Sequence, residues 1–244
     1  MGMFESKNIK YNPSDLCTLP NGNLIFANYK SLNMTVHDLN FNLLKTIDKL
    51  SNSYMIEPFS IATNNFDKIY ICEYNFIVMT DLDFNFIKKY GSNTTELEDP
   101  RYILFHNDYL YVCDCSSMHV QKLNSDLVLK ATYFLSIKPR QIQIIDKTAC
   151  VRPLHDGLYF YDLLSFELKI KYDQANGFIL INDNLFFQYH KESMKIDCFD
   201  ESGYFVETIN LKLNHNTDYV GYFIAGIFHG HFIFQSIDKK IFIV

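Results

Sequence analysis

An all-β fold, a six-bladed β-propeller of four-stranded antiparallel blades, is what three features of this sequence predict. Apolar runs of four to seven residues alternate with clusters of Pro, Asn, Gly and Asp along nearly all of its 244 residues. The prolines that open successive copies, Pro13, Pro58, Pro100 and Pro139, stand 45, 42 and 39 residues apart, and a period of about 40 suits a four-stranded blade. Finally, His37-Asp-Leu-Asn-Phe-Asn-Leu-Leu44 and Thr80-Asp-Leu-Asp-Phe-Asn-Phe-Ile87 match almost residue for residue.

Taken in order, the first copy runs over 13–48, with the aliphatic strand Leu24-Ile-Phe-Ala27 after the turn Pro20-Asn-Gly22. The second, 58–90, repeats it with Ile69-Tyr-Ile-Cys72. The third, 100–134, passes Tyr109-Leu-Tyr-Val-Cys-Asp114 and turns at Asn124-Ser-Asp126. The fourth, 139–172, turns at Asp162-Leu-Leu-Ser165. The fifth, 177–211, is eroded at its start but keeps Asn184-Leu-Phe-Phe-Gln188 and the turn Asp200-Glu-Ser-Gly203. The sixth, 219–244, has room for three strands. The segment 5–11, with Lys7-Asn-Ile-Lys-Tyr11, resembles the strand Phe86-Ile-Lys-Lys-Tyr90, so an N-terminal strand is expected to complete the last blade and remove an exposed sheet edge. Strands apolar on consecutive positions fit blades covered on both faces. The whole chain therefore reads as one domain.

Composition narrows the function classes. A chain with 48% hydrophobic and 20% charged residues is globular. Its formal net charge of −6 gives no overall attraction to nucleic acid or an anionic membrane, so any phosphate contact must be local. The N-terminus lacks the apolar core of a signal peptide. Tyr219–Phe234, interrupted by His229 and His231, is too short to span a bilayer. A soluble, cytoplasmic protein without membrane contact is the expectation. Of six cysteines, Cys17, Cys72, Cys113 and Cys150 fall inside strands, as free core thiols would. Cys113 and Cys115 alternate along a strand and make a poor metal clamp.

The order of Pro, short strand, Asn-Gly-Asn, aliphatic strand ending in an acidic or amide residue, then Val-x-Asp and a turn resembles the NHL repeat, most clearly in copies one to three. With no Trp, the chain lacks the Trp-Asp signature of WD40 blades. The resemblance implies a six-bladed platform for proteins or, in one branch, for single-stranded RNA. Relatives of similar shape include metal-dependent lyases and lactonases, which leaves an enzyme as a further alternative. The ligase role of longer family members, which carry a RING or other zinc-binding module ahead of such repeats, is not expected from these residues.

The residues closing the second strands, Asn28, Glu73, Asp114, Arg152, Gln188 and Gln235, are all polar. They either cap blade turns through backbone hydrogen bonds or form a polar ring at a channel mouth. On the same face copies two and three are acidic, while Arg101, Lys138, Arg140, Arg152 and His155 are basic, with Tyr102 beside Arg101. Arg101, Tyr102, Lys138, Arg140, Arg152, His155 and Gln188 are the expected partner contacts. Arginines with an aromatic neighbour could also hold phosphates and a base, and Arg101 could instead be paired with Asp99. The residues that open the first strands, Asp15, Ser60, Tyr102, Gln141, Phe178 and Phe223, include one carboxylate and no His, too few ligands for a metal. His229-Gly-His231 matches a hairpin turn. No catalytic triad, phosphate loop or Cys-x-x-Cys pair appears. The expectation is a non-catalytic binding platform for a protein or peptide, with no metal or cofactor.

Overall fold

The computed structural model describes 7–8, 13–50, 53–54, 57–91, 96–155, 157–173, 179–182, 184–190, 195–210, 226–228, 231–235 and 240–243. It describes backbone alone at 7–8, 53–54, 180, 182, 189–190, 210 and from 226 onward. The chain divides into two compact units, Ile9–Arg140, and Met1–Asn8 with Gln141–Val244.

Strand β1 (Lys7–Asn8) belongs to the second unit. In the first unit, blade one is β2 (Asp15–Thr18), β3 (Leu24–Asn28), β4 (Asn33–His37) and β5 (Leu43–Ile47), with a small hairpin, β6 (Lys49–Leu50) and β7 (Ser53–Tyr54), after it. Blade two is β8 (Ser60–Thr63), β9 (Lys68–Glu73), β10 (Phe76–Asp81) and β11 (Phe86–Tyr90). Blade three is β12 (Pro100–His106), β13 (Tyr109–Asp114), β14 (His119–Asn124) and β15 (Leu129–Phe134). In the second unit, blade four is β16 (Pro139–Ile145), β17 (Thr148–Pro153), β18 (Leu158–Asp162) and β19 (Leu168–Tyr172). Blade five is β20 (Ile179–Asn182), β21 (Leu185–His190), β22 (Lys195–Phe199) and β23 (Phe205–Asn210). The remaining strands are β24 (Gly226–Phe228), β25 (His231–Gln235) and β26 (Lys240–Ile243).

Five blades, not six, are regular meanders of four consecutive antiparallel strands. The last strands make a smaller sheet in the order β1-β26-β25-β24, in which Lys7 faces Ile241 and Asn8 faces Lys240. This corrects the expectation of a six-bladed propeller, although the N-terminal strand does pair with the last strand, and the physical difference lies in the turn that joins third and fourth strands. In all five blades an Asp or Asn caps that turn with its own side chain. Asp38 accepts the N–H groups of Asn40 and Asn42, Asp81 those of Asp83 and Asn85, Asn124 those of Asp126 and Val128, Asp162 those of Leu164 and Ser165, and Asp200 those of Ser202 and Tyr204. A β-bulge follows in each. In the small sheet, β26 instead pairs with a strand from the other end of the chain, so no such turn joins them.

Each capped turn holds one residue in the left-handed region: Phe41, Phe84, Leu127, Phe166 and Gly203. For a bulky side chain this costs about 1–2 kcal/mol. Burial offsets it, since Phe84, Leu127 and Phe166 are buried and Phe166 stacks on Tyr161. Gly203 is required for a different reason: a Cβ there would meet the Phe160 ring at 2.5 Å.

Neighbouring blades are strapped through their first strands. The Asp15 carboxylate accepts from Ser60 Oγ at 2.5 Å and from the Ile61 amide at 3.0 Å. Ser60 Oγ in turn accepts the Ile103 amide at 3.1 Å. In the second unit Gln141 Oε1 accepts the Ile179 amide and its Nε2 donates to the Ile179 carbonyl. In each case a side chain of one first strand reaches the backbone of the next. Apolar packing fills the space behind, as where Ile25, Ile61, Ile69 and Ile71 share a core between blades one and two.

Replacing Ser60 with Ala strips a donor from Asp15 and leaves the buried Ile103 amide unpaired, so urea unfolding should show a loss of about 2 kcal/mol. Gly203→Ala, with both a left-handed backbone and the Phe160 overlap, should cost about 2 kcal/mol or more. Gly22→Ala, left-handed with open space around it, should cost only about 1 kcal/mol.

Candidate functional site

Of the residues closing the second strands, Asn28, Glu73, Asp114 and Gln188 are buried. Asn28 is fully buried, and its Nδ2 donates to Asn33 Oδ1 and Thr35 Oγ1 within its own blade. Asp114, also fully buried, accepts the amides of Glu98 and Asp99 at 2.8 and 2.9 Å, which fixes the chain entering blade three. Asp114 thus engages backbone, while the Asn28 bonds go to side chains of β4. Glu73 and Gln188 are buried as well, while Arg152 is half-buried. The side chain of Gln235 lies outside the described residues, as does the turn carrying His229. The first-strand positions Asp15, Ser60 and Gln141 serve as straps between blades, and Phe178 and Phe223 lie outside the described residues.

Burial sets the electrostatics of this interior. Loss of hydration pushes Glu73 up to about 7 despite the opposing pull of Lys89. The Asp15 carboxyl, densely surrounded by inner strands, is pushed up to about 6 against the hydrogen bonds from Ser60, Ile61 and Leu16. Burial also holds His119 low, so its 3.6 Å approach to Asp114 is a contact of a neutral imidazole and not an ion pair. The six cysteines are free thiols, raised by burial where they shift. Among the described residues no three His, Cys, Asp or Glu side chains converge as metal ligands, and no helix is long and apolar enough to cross a membrane.

Part of the expected contact set does come together in the first unit. Arg101 Nε lies 2.7 Å from Asp99 Oδ1 and its guanidinium sits over the Phe59 ring at 4.5 Å. Half-buried and doubly held, Arg101 is a structural residue as much as a contact. Tyr102 beside it is half-buried. Lys138 and Arg140 are exposed. Burial and Asp99 push the Cys115 thiol up, while the charges of Arg101, Lys138 and Arg140 pull the other way. Arg101 on β12, Lys138 on the chain leaving blade three and Arg140 on β16 are the cations of one basic corner, sharing their influence on Cys115. Exposed Glu96 and Glu98 stand on the chain entering that blade. Arg152, exposed His155 and Gln188 belong to the second unit.

Sequence reasoning missed the apolar part of this corner. Phe134, at the end of β15, is 79% exposed, with its ring edge on His119 at 5.8 Å, and exposed Met118 borders the same strand ends. The Leu135 amide bonds the Met118 carbonyl, which ties the two segments together. The signal available was position: Phe134 falls where a fourth strand ends and the chain crosses to the next blade.

No protein-family model matches the chain, and no curated protein matches it. Among solved structures it is similar to the crystal structure of BBS1N in complex with ARL6DN, soaked with mercury. The two are 10% identical with a TM-score of 0.67, and the match covers 98% of this chain and 94% of that one. At that identity the likeness is one of fold: the chain is an all-β propeller of four-stranded antiparallel blades. The NHL resemblance is therefore reduced to this coarser statement, since Pro, Asx turn and aliphatic strand serve the geometry of any such blade.

The Glu73 and Asp15 carboxyls give a signed pH dependence. As pH rises from the ordinary carboxyl range, the unfolded chain ionises while the folded chain keeps its protons. Stability is therefore lost as pH passes through about 6 for Asp15 and about 7 for Glu73. Thermal melting should be lower at about pH 8 than at about pH 5, and Glu73→Gln should shrink that difference by removing the upper part of the fall.

Proposed function

We propose that this chain is a non-catalytic platform that docks a protein or peptide through the basic corner of its first unit. The carrying observation is Phe134, 79% exposed at the end of β15, followed within six residues by exposed Lys138 and Arg140. A large apolar side chain rimmed by cations matches the anatomy of a protein contact, an apolar anchor inside a charged border. The structural neighbour supports this reading by analogy, being a chain of the same fold captured in complex with another protein. NHL-like domains that serve as platforms point the same way. Arg101 and Tyr102 form the inner side of the contact, within the same unit. Buried Gln188, like Asn28, Glu73 and Asp114, supports the blade interior.

The test is affinity capture from native lysate, with and without nuclease, comparing wild type with the Phe134→Ser/Lys138→Glu/Arg140→Glu variant. A protein should be held in both nuclease conditions and be lost with the variant. Its purified form should then bind the variant at least about tenfold more weakly by calorimetry. An unchanged set of captured proteins would sink the proposed surface. RNA recovered in their place, released by nuclease and by added salt, would move the chain to single-stranded RNA binding.

A further inference from the structure

We infer that the outer edge of blade five, β23, is a second docking site, which takes an extended segment of a partner protein as an added strand carrying Lys or Arg opposite Glu207. β23 is the last strand of its sheet among the described residues. The five outer strands are equivalent by position, and four of them carry exposed lysines: Lys45 in β5, Lys88 and Lys89 in β11, Lys130 in β15, and Lys169 and Lys171 in β19. Lysine on an edge strand discourages pairing with another chain, because added backbone would bury or crowd the charge. β23, Phe205-Val-Glu-Thr-Ile-Asn210, has none. In its place stands a run of exposed apolar side chains, Phe205 at 51%, Val206 at 51% and Ile209 at 37%, preceded by Tyr204 at 63%.

The strand is also held ready. The Phe205 amide donates to Tyr172 Oη of blade four, and the Phe205 ring packs on Phe199 at 6.0 Å, which anchors one end. Thr208 Oγ1 donates to Asp197 on the neighbouring strand. The charge near the strand's middle is acidic: Glu207 and Asp197 both push the Cys198 thiol up, in addition to burial. A β-branched, apolar edge with a carboxylate at its centre suits an extended basic-apolar strand, whose backbone supplies affinity and whose alternate side chains supply choice. A second copy of β23 suits it poorly where antiparallel self-pairing is centred on Glu207, since that register sets Glu207 against Glu207.

The probe is a labelled synthetic peptide, Thr-Val-Lys-Ile-Lys-Val-Thr, titrated against the full chain by fluorescence polarisation. Saturable binding is expected. Val206→Lys, which installs the lysine that the other edges carry, should weaken it about tenfold, as should Glu207→Lys. The protein left unchanged, a peptide with proline in place of its central Ile should fail to bind, because it loses a backbone donor, and a Glu-for-Lys peptide should bind at least about tenfold more weakly. Absence of saturable binding, or equal binding of the proline peptide, would overturn the proposal. So would sedimentation showing a dimer of the chain that Val206→Lys dissociates, since the edge would then belong to a second copy. None of these residues lies in the basic corner, so the two sites stand or fall separately.

Discussion

The hydrogen bond from a first-strand side chain to the backbone of the next first strand is the constraint on which the blades depend. A blade is covered on both faces by apolar side chains, and apolar packing alone would let neighbouring sheets slide. Asp15 on Ile61, Ser60 on Ile103 and Gln141 on Ile179 set the register of one innermost strand against the next with directional bonds. The same bonds explain why polar residues survive at these positions. They are buried or densely surrounded, and each is satisfied by backbone that no mutation can remove. Positions so engaged build the scaffold of the inner strands.

The periphery is where the copies diverge. The Asx-capped turn and its left-handed residue repeat in all five regular blades, because they fix how the fourth strand returns. Beyond that turn, four blades guard their outer strands with lysine while the fifth does not, and blade three alone ends its fourth strand in a fully presented Phe134. Similar interiors with individual rims leave two exposed regions of different chemistry, one basic and aromatic, the other apolar and acidic.

Strands and turns were legible in the sequence because local chemistry fixes them. Asp38 and Asp81 cap turns with groups two and four residues away, so matching segments had to fold alike. The number of regular blades was less legible, since the last strands share the apolar pattern but not the capped turn. The burial of Asp114 was also hidden, because its partners, the amides of Glu98 and Asp99, come from the preceding inter-blade segment. A polar residue at a strand end looks the same in sequence whether it meets solvent or backbone. Phe134 was missed for the converse reason, as an aromatic residue in a strand reads as core until the sheet shows it has no neighbour layer.

The pairing of Lys7 and Asn8 with Ile241 and Lys240 bears on how the molecule comes into being. Hairpin contacts elsewhere in the chain join residues made within moments of each other, but this ladder must wait until more than two hundred residues have left the ribosome. Until then β1, made first, has no partner strand. The slowest step of assembly is thus expected at the join of the two chain ends, where chaperones and proteases would meet an unfinished molecule while the capped-turn blades were already formed.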